Sequence, residues 1–256
     1  MRFLTLYSGS GGNCAYIESD TTAILIDAGK SARRLCAALT EIGSAISKID
    51  AIFITHDHAD HTSALESLTK KHKIPIHITE RSAAVFSGER FNTVNENIVC
   101  HPPLFEVTVG DITVRSFTTS HDSLMSVGYR FDIGGISLGR ATDLGYVTDA
   151  VREGLSGCSA IILESNHDVE MLRTGPYPRF LKERILSKRG HLSNSDSAIF
   201  AAELAERGTK SFLLAHLSGE NNTPAAALDE FLSAVADPTV EVAVADAEAP
   251  TEIPIM

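Results

Sequence analysis

Short apolar runs separated by turn residues dominate the first half of the chain. The runs FLTLYS, CAYIES, AILIDA, AIFIT and IPIHIT have the length of strands, and helical spacing of apolar residues favours helices near Ser31–Ile42 and Ser63–His72. Apolar and polar positions then alternate in FEVTVG, ITVRSFTT, SVGYRFDI and ISLGRAT, with Gly110–Asp111 and Gly134–Gly135 at turns between them. The middle of the chain is therefore predicted to consist of consecutive strands.

The second half of the chain mixes both patterns again. Strands are predicted for AIILES and KSFLLAH, and helices near Val147–Leu155, Pro178–Lys188, Asp196–Arg207 and Pro224–Ala236. Strands with helices in both halves, without a repeat period, predict two sheets packed face to face with helices outside. One large or two small domains fit 256 residues, but no Gly/Ser-rich or Pro-rich linker divides the chain. We therefore expect a single domain over residues 1–256.

Composition narrows the class of protein. With 43% hydrophobic and 21% charged residues, the chain is an ordinary globular one. No stretch approaches the ~18 apolar residues that a membrane span needs, so we expect a soluble, unexported, cytoplasmic protein without a membrane partner. The four cysteines are far apart and form no CxxC pair, which predicts reduced thiols.

Charge is distributed unevenly along the chain. The net charge of −11 argues against a nucleic-acid binder held by overall charge. From Glu203 onward the chain has ten acidic and two basic residues, whereas Asp168–His191 has six basic and three acidic residues. This basic stretch can track a nucleic-acid backbone, although a solvated amphipathic helix is the commoner reason for such a run. Its cations are Arg173, Arg179, Lys182, Arg184, Lys188 and Arg189.

The sharpest chemical signal is THDHADH, residues 55–61, directly after AIFIT. On an extended segment His56 and His58 point the same way, and the following turn can swing Asp60 and His61 toward a neighbouring point. Imidazole suits Zn, Mn or Fe and carboxylate suits harder ions, so the set fits two divalent ions about 3.5–4 Å apart. The alternative, a polar loop that is rich in histidine by chance, fits this pattern poorly.

Three further residues follow apolar strands and can complete such a site. His121 closes ITVRSFTTSH, Asp143 follows ISLGRAT, and His216 ends KSFLLAH. Each alone is more often a capping or turn residue. Together with the histidine-rich loop, they are better explained as metal ligands.

These residues resemble the five successive motifs of the metallo-β-lactamase superfamily of binuclear hydrolases. The motifs are Asp27 in ILIDAG, the HxHxDH run, His121, Asp143 and His216, in order over nearly the whole chain. The stretches SGSGGNC, HDSLMSVGY, TDLGYVTD, ESNHDVEML, GPYP, RGHLSN and AHLSGENNTP are similar to its YycJ (WalJ) branch. The resemblance implies an αββα sandwich with metals at the sheet rim and, for this branch, 5′→3′ exonuclease activity on double-stranded DNA.

The resemblance also implies the role of each ligand. One ion would be held by His56, His58 and His121, the other by Asp60, His61 and His216, with Asp143 bridging the two. Asp27 resembles a motif residue that supports the histidine-rich loop without binding metal. The expected ions are two Zn²⁺ or Mn²⁺, and Fe²⁺ also accepts this ligand set.

Two cations that share a carboxylate lower the pKa of a common water, so a metal-bridging hydroxide is the expected nucleophile. His191 in RGHLSN precedes a helix, with Ser193 or Asn194 as the N-cap, and resembles the histidine that phosphodiesterase members hold near the scissile phosphate. Glu164, at the end of AIILES, can orient and charge it. On position alone His191 fits a polar helix start equally well. The predicted catalytic residues are Asp60, Glu164 and His191.

Weaker signals accompany this site. The Gly-rich turn Ser8–Asn13 can present amides to an anion, but a plain hairpin is favoured. Ser218, Asn221 and Asn222 can donate to phosphate or begin a helix. The remaining histidines lie outside the motifs: His72, His77 and His101 are expected to be structural or on the surface, and His167 near Glu164 has no assigned role.

Three functions are compatible with these residues. The first is a metal-dependent nuclease acting on DNA, and the second is a phosphodiesterase for RNA or a small cyclic phosphate. The third is a non-catalytic metal-binding adaptor, because a fold does not prove a function. A β-lactamase is disfavoured since the chain has no signal peptide, and a glyoxalase-type thioesterase would not need the Glu164/His191 pair. There is no room for a β-CASP insertion, which leaves substrate size open, and oligomeric state has no signal in the sequence.

Overall fold

The computed structural model describes residues 1–255, which form two sheets and ten α-helices. The strands are β1 (Arg2–Tyr7), β2 (Cys14–Glu18), β3 (Ala23–Ile26), β4 (Ala51–Phe53), β5 (Ile76–Thr79), β6 (Ile98–His101), β7 (Glu106–Val109), β8 (Ile112–Thr118), β9 (Val127–Ile133), β10 (Ile136–Ala141), β11 (Ala160–Glu164), β12 (Ser211–Ala215), β13 (Glu241–Val244) and β14 (Thr251–Glu252). The helices are α1 (Ala32–Glu41), α2 (Ala59–Thr62), α3 (Leu65–Thr69), α4 (Glu80–Ala83), α5 (Asn92–Asn95), α6 (Asp149–Leu155), α7 (Val169–Thr174), α8 (Arg179–Ile185), α9 (Asn194–Glu206) and α10 (Pro224–Ala234).

The two sheets have the same construction. The first has the strand order β14-β1-β2-β3-β4-β5-β6 and the second the order β13-β12-β11-β10-β9-β8-β7. In each sheet one side is antiparallel, from β14 to β3 and from β7 to β10, and the other side is parallel. Because the carboxyl ends of parallel strands meet at one edge, each sheet presents its functional loops along one rim.

Three hydrophobic cores separate four layers. The inner core lies between the sheets and includes Phe3 and Phe53 from the first sheet and Phe131 from the second. An outer core packs α1 and α3 on the first sheet, and another packs α6, α9 and α10 on the second. Side chains buried on both faces of the sheets explain why most strands read as unbroken apolar runs. The predicted αββα architecture is confirmed.

Most predicted elements lie within a few residues of the observed ones, but three strands were missed. These are β6, β13 and β14, and all three lie at or beside an outer edge of a sheet: β6 and β14 close the first sheet and β13 the second. Their residues are largely half-exposed. An edge strand is covered on fewer sides, so it needs no continuous apolar run. The short helices α4, α5 and α7 were missed as well.

The helix predicted near Ser63–His72 is broken in the structure. The chain becomes helical at Ala59, and α2 and α3 are separated because the backbone groups between them bond elsewhere. The amide of Ala64 donates to the carbonyl of Ala28, and the carbonyl of Asp60 accepts from the amide of Asn13. An α-helix would have joined these two groups of Ala64 and Asp60 to each other. Tertiary bonds thus replace the helical one.

Within the described residues 1–255, no helix has both the length and the apolar composition required to cross a bilayer.

Candidate active site

The predicted ligands converge at the rim where both sheets present strand ends. We call this group the rim site: it consists of His56, His58, Asp60, His61, His121, Asp143 and His216. The first four follow β4, and the others follow β8, β10 and β12 of the second sheet. Residues that lie up to 160 positions apart thus meet because the two sheets pack with their rims aligned.

Within the rim site the ligand atoms form two adjacent clusters. One contains His56, His58 and His121 and the other Asp60, His61 and His216, with the atoms of each within 4.8 Å of one another. The carboxylate of Asp143 lies between them. Its oxygens are 3.5 Å from His61 Nε2, 3.7 Å from His121 Nε2 and 3.6 Å from His216 Nε2.

Backbone conformation marks the same rim. Among the described residues, the non-glycine residues with positive φ are Asp27 at 65°, Asp143 at 61° and His216 at 59°. Each directly follows a strand or lies within two residues of its end. Residues other than glycine adopt this region at an energetic cost, and such residues cluster at functional sites. The chain turns sharply here to aim each side chain at the rim.

Two histidines of the loop are held by groups behind them. Thr55 donates its hydroxyl to the Asp27 carboxylate, so its oxygen accepts from His56 Nδ1 at 2.9 Å. His61 Nδ1 donates to Asp27 at 2.9 Å. When Nδ1 carries the proton, the lone pair of the imidazole is at Nε2. Both rings are therefore held through Nδ1, which leaves their Nε2 atoms directed into the rim site.

The same arrangement recurs on the second sheet. His121 Nδ1 bonds the carbonyl of Gly190 at 3.1 Å, and His216 Nδ1 bonds Glu164 at 2.8 Å. The atoms left buried without a partner include His56 Nε2, His216 Nε2 and Asp143 Oδ2. Buried polar atoms are normally satisfied, so lone pairs that converge without donors fit a cation. The residues present thus suit divalent metal ions.

Asp27 lies behind the loop, as the resemblance implied. Besides Thr55 and His61, it contacts Arg140, whose guanidinium is 2.8 Å from the carboxylate and is itself buried. Burial alone would raise the pKa of Asp27, but the charges of His61 and Arg140 outweigh it and lower the pKa. A permanently charged carboxylate keeps His61 oriented.

Glu164 connects the two histidines of the second sheet. It is fully buried, and one oxygen bonds His191 Nδ1 at 2.9 Å and His216 Nδ1 at 2.8 Å. The other oxygen accepts from the amides of Leu144 and Leu192. Burial would raise the pKa of Glu164, but its two histidine partners lower it to about 2. A carboxylate thus orients both a predicted ligand and His191.

Protonation differs across the rim site. Burial lowers the pKa of His56 well below its ordinary value, and burial also lowers the pKa of His121. Burial acts the same way on His216, but the charges of Asp143 and Glu164 raise its pKa to about 9. Because an imidazole must give up its proton to bind a metal ion, a cation at His216 would compete with protons.

Sequence reasoning missed two residues at the site. Asn13, at the end of the Gly-rich hairpin, places its amide 3.3 Å from Asp60 Oδ2 and 3.0 Å from His61 Nε2. Asp122 has one buried, unpartnered oxygen 3.3 Å from His121 Nε2, and its other oxygen accepts from Arg184. Asp122 directly follows a predicted ligand in the sequence, which was the available signal. Nothing in the sequence links Asn13 to residue 60.

Of the weaker sequence candidates, one lines a cavity at the site and the others are buried. Ser218 lines a cavity beside His191 and His216. Asn222 is buried and bonds the carbonyls of Ser165 and Asn166, so it is part of the packing, and Asn221 is fully buried. His167 is buried, and neither ring nitrogen has a partner. It belongs to none of the metal-ligand clusters found in the described residues.

The basic stretch covers α7, α8 and the turn that leads to His191. Arg184 is bound to Asp122, and Arg179 pairs with Glu183 along α8. Lys188 lies over the ring of Tyr146. The helix α8 is thus tied to the rim site through Asp122, while part of its positive charge faces solvent.

Comparison with known proteins identifies the family. Residues 22–217 match the model of the beta-lactamase superfamily domain. The chain is 37% identical over 231 residues to the exodeoxyribonuclease YycJ of Bacillus anthracis, which covers 87% of this chain and 84% of that protein. It is 36% identical over 225 residues to the exodeoxyribonuclease WalJ of Streptococcus pneumoniae, with 86% and 83% covered.

A solved structure has the same fold. The metallo-β-lactamase fold protein YhfI from Bacillus subtilis superimposes with a TM-score of 0.72 at 17% identity, over 98% of each chain. The predicted family and the prediction of a metal-dependent hydrolase are both confirmed. The chain belongs to the beta-lactamase superfamily, in the metallo-β-lactamase-fold group that contains the YycJ and WalJ exodeoxyribonucleases.

Proposed function

We propose that this protein is a binuclear metal-dependent exonuclease that digests double-stranded DNA in the 5′→3′ direction. The observation that carries the proposal is the pair of ligand clusters joined by Asp143, with Glu164 and His191 beside them. The relatives at 36% and 37% identity are named exodeoxyribonucleases, which supports DNA as the substrate. The direction of digestion rests on the resemblance to their branch.

We assign the ligands as the motifs imply. His56, His58 and His121 would hold one ion, Asp60, His61 and His216 the other, and Asp143 would bridge them. The ions are divalent, Zn²⁺ or Mn²⁺, with Fe²⁺ compatible with the same donors. When bound, they supply positive charge and an activated water beside the scissile phosphate.

The side chains of the protein supply the rest of the reaction. Glu164 holds His191 through Nδ1, which leaves Nε2 for a substrate in the cavity that His191 lines. The imidazole can bind a non-bridging phosphate oxygen or give its proton to the departing oxygen. Asn13 holds the Asp60 carboxylate in place, and Asp60 thereby serves the reaction as a positioned ligand.

Both sheets of the described chain belong to the proposed enzyme. We infer one hydrolase domain, because the inner core draws side chains from both sheets and both sheets contribute ligands. Since the proposed substrate is cellular DNA, we also propose a cytoplasmic location, as the sequence led us to expect.

The decisive test is a substrate panel. Chelator-stripped protein and protein reloaded with Zn²⁺ or Mn²⁺ would be offered 5′-labelled duplex DNA, single strands, structured RNA and a small chromogenic phosphodiester. We expect metal-dependent release of label from duplex DNA, and none from a Asp143→Asn variant. Hydrolysis of only RNA or the small ester would replace the DNA nuclease by the alternative phosphodiesterase. An absence of any metal-dependent hydrolysis would favour a metal-binding adaptor.

A further inference from the structure

A small cavity lies directly beside the predicted catalytic groups. Its volume is about 220 Å³, and His191 and His216 form part of its wall. The polar lining includes Ser10, Asn166 and Ser218, and the apolar lining includes Tyr177, Leu181 and Ile185. Hydroxyls and amides beside an aromatic and aliphatic surface match a sugar-phosphate group joined to a base.

The size of the cavity limits what can enter. Ligand pockets for drug-sized molecules measure roughly 300–1,000 Å³, so a cavity of about 220 Å³ matches a single small unit better than a base pair. A terminal nucleotide that enters the cavity must first separate from its complementary base. Enzymes that act on one nucleotide of a duplex meet the same need when they unstack it.

The helix that forms one wall of this cavity, α8, also carries an exposed aromatic residue. Phe180 is 72% exposed, the highest value among the large apolar side chains of the described residues. It lies on α8 next to Leu181, which lines the cavity, and one helical turn before Arg184. Arg184 binds Asp122, and Asp122 contacts His121 of the rim site. These contacts connect α8, the helix that carries Phe180, to the metal-ligand candidates of the rim site.

At 72% exposure, the side chain of Phe180 gains little from burial within the described part of the chain. An aromatic ring in water loses the benefit of burial unless it meets another apolar surface, and nucleic acid provides one in the faces of its bases. On the same helix Lys182 donates to the carbonyl of Arg173, an uncharged partner, so its charge suits a phosphate beside such a base.

We propose that the cavity admits one unpaired terminal nucleotide and that Phe180 stacks on the base pair that becomes the new duplex end. Phe180 is thus a specificity-determining residue for duplex substrates. This inference rests on the proposed nuclease function. Stacking does not depend on base identity, because every base has a π-face, which suits digestion of any sequence.

The test compares duplex and single-stranded substrates. Wild type, Phe180→Ala and Phe180→Trp, all metal-loaded, would be timed on a blunt 5′-phosphorylated duplex and on its isolated strand. We expect Phe180→Ala to lower the ratio of duplex to single-strand rate by about tenfold and Phe180→Trp to restore it, since a stacked base contributes about that much. A duplex whose terminal pair is mismatched should also restore most of the ratio for Phe180→Ala.

Control variants separate stacking from general effects. Ile199→Ala and Leu232→Ala remove exposed apolar side chains from α9 and α10, and we expect neither to change the ratio. If wild type digests both substrates and Phe180→Ala leaves the ratio unchanged, the stacking role is wrong while the nuclease function stands. If wild type digests no DNA, the nuclease function itself fails.

Discussion

Two histidine clusters use the same side chain in opposite ways. In the rim site, histidines direct unpartnered Nε2 atoms toward Asp143. In the second cluster, the rings of Phe53, His77, His101 and Phe105 lie one on the next, and we call it the ring stack. Its successive centroids are 4.6, 5.1 and 4.1 Å apart, and His77 Nδ1 bonds His101 Nε2 at 2.9 Å.

The difference lies in what surrounds the rings. Burial lowers the pKa of His77 to about 4, so the ring stack keeps it neutral and apolar. Burial acts on His216 too, but the nearby carboxylates raise its pKa to about 9. A histidine is therefore a candidate metal ligand where carboxylates lie close and its Nε2 has no partner, and a core side chain where aromatic rings cover it.

Alanine substitution in each cluster should give the largest contrast. We expect His58→Ala to reduce bound metal and to lower turnover by roughly a thousandfold or more, because the loss of a ligand weakens charge stabilisation worth several kcal/mol. His101→Ala should keep the full metal content and lose about 1 kcal/mol of the free energy of unfolding. Elemental analysis, turnover on duplex DNA and urea unfolding measure these effects. Equal loss of metal in both variants would remove the distinction between the clusters.

His191 should affect turnover without affecting metal binding. We expect His191→Ala to lower kcat by about 10²–10⁴-fold, the usual contribution of a general acid. Its metal content should match that of wild type, since Asp143 and the other six rim-site residues remain. His72→Ala, a change outside both clusters, is the matched control. Full turnover by His191→Ala would remove the acid role.

Glu164 should act through the histidines that it holds. In Glu164→Gln one carboxylate oxygen becomes an NH₂ group, which cannot accept from the two histidines or from the backbone amides of Leu144 and Leu192. We therefore expect metal affinity or kcat to fall about 10–100-fold. A chelator competition assay and steady-state kinetics measure the two effects. Wild-type values in both would mean that the rim histidines need no support of this kind.

The buried His77 of the ring stack should make the free energy of unfolding depend on pH. The folded pKa of His77 is about 4, below the unfolded value of ~6.5, so between these values only the unfolded chain binds the proton. Wild type should therefore lose on the order of 1 kcal/mol of its free energy of unfolding between pH 7 and pH 5 relative to His77→Phe. Urea unfolding of both proteins at each pH gives the difference. A difference that does not vary with pH would contradict a neutral, buried His77.

The sequence by itself predicted the candidate ligands and determined the layer architecture. Apolar runs mark strands that are buried on both faces, and His or Asp directly after such a run must lie at a strand end. This information is local, which is why the HxHxDH loop, His121, Asp143 and His216 were all proposed from the sequence alone. The sequence also placed His77 outside the candidate ligands, but it did not show why this histidine is neutral.

Only the tertiary structure decided which groups meet across the chain. The break between α2 and α3 depends on bonds from Asn13 and Ala28, and the dual role of Glu164 depends on His191 and His216 arriving at one carboxylate. The edge strands β6, β13 and β14 exist because a neighbouring strand offers unpaired backbone groups. Such contacts join positions far apart in sequence, and the packing of the two sheets brings them together.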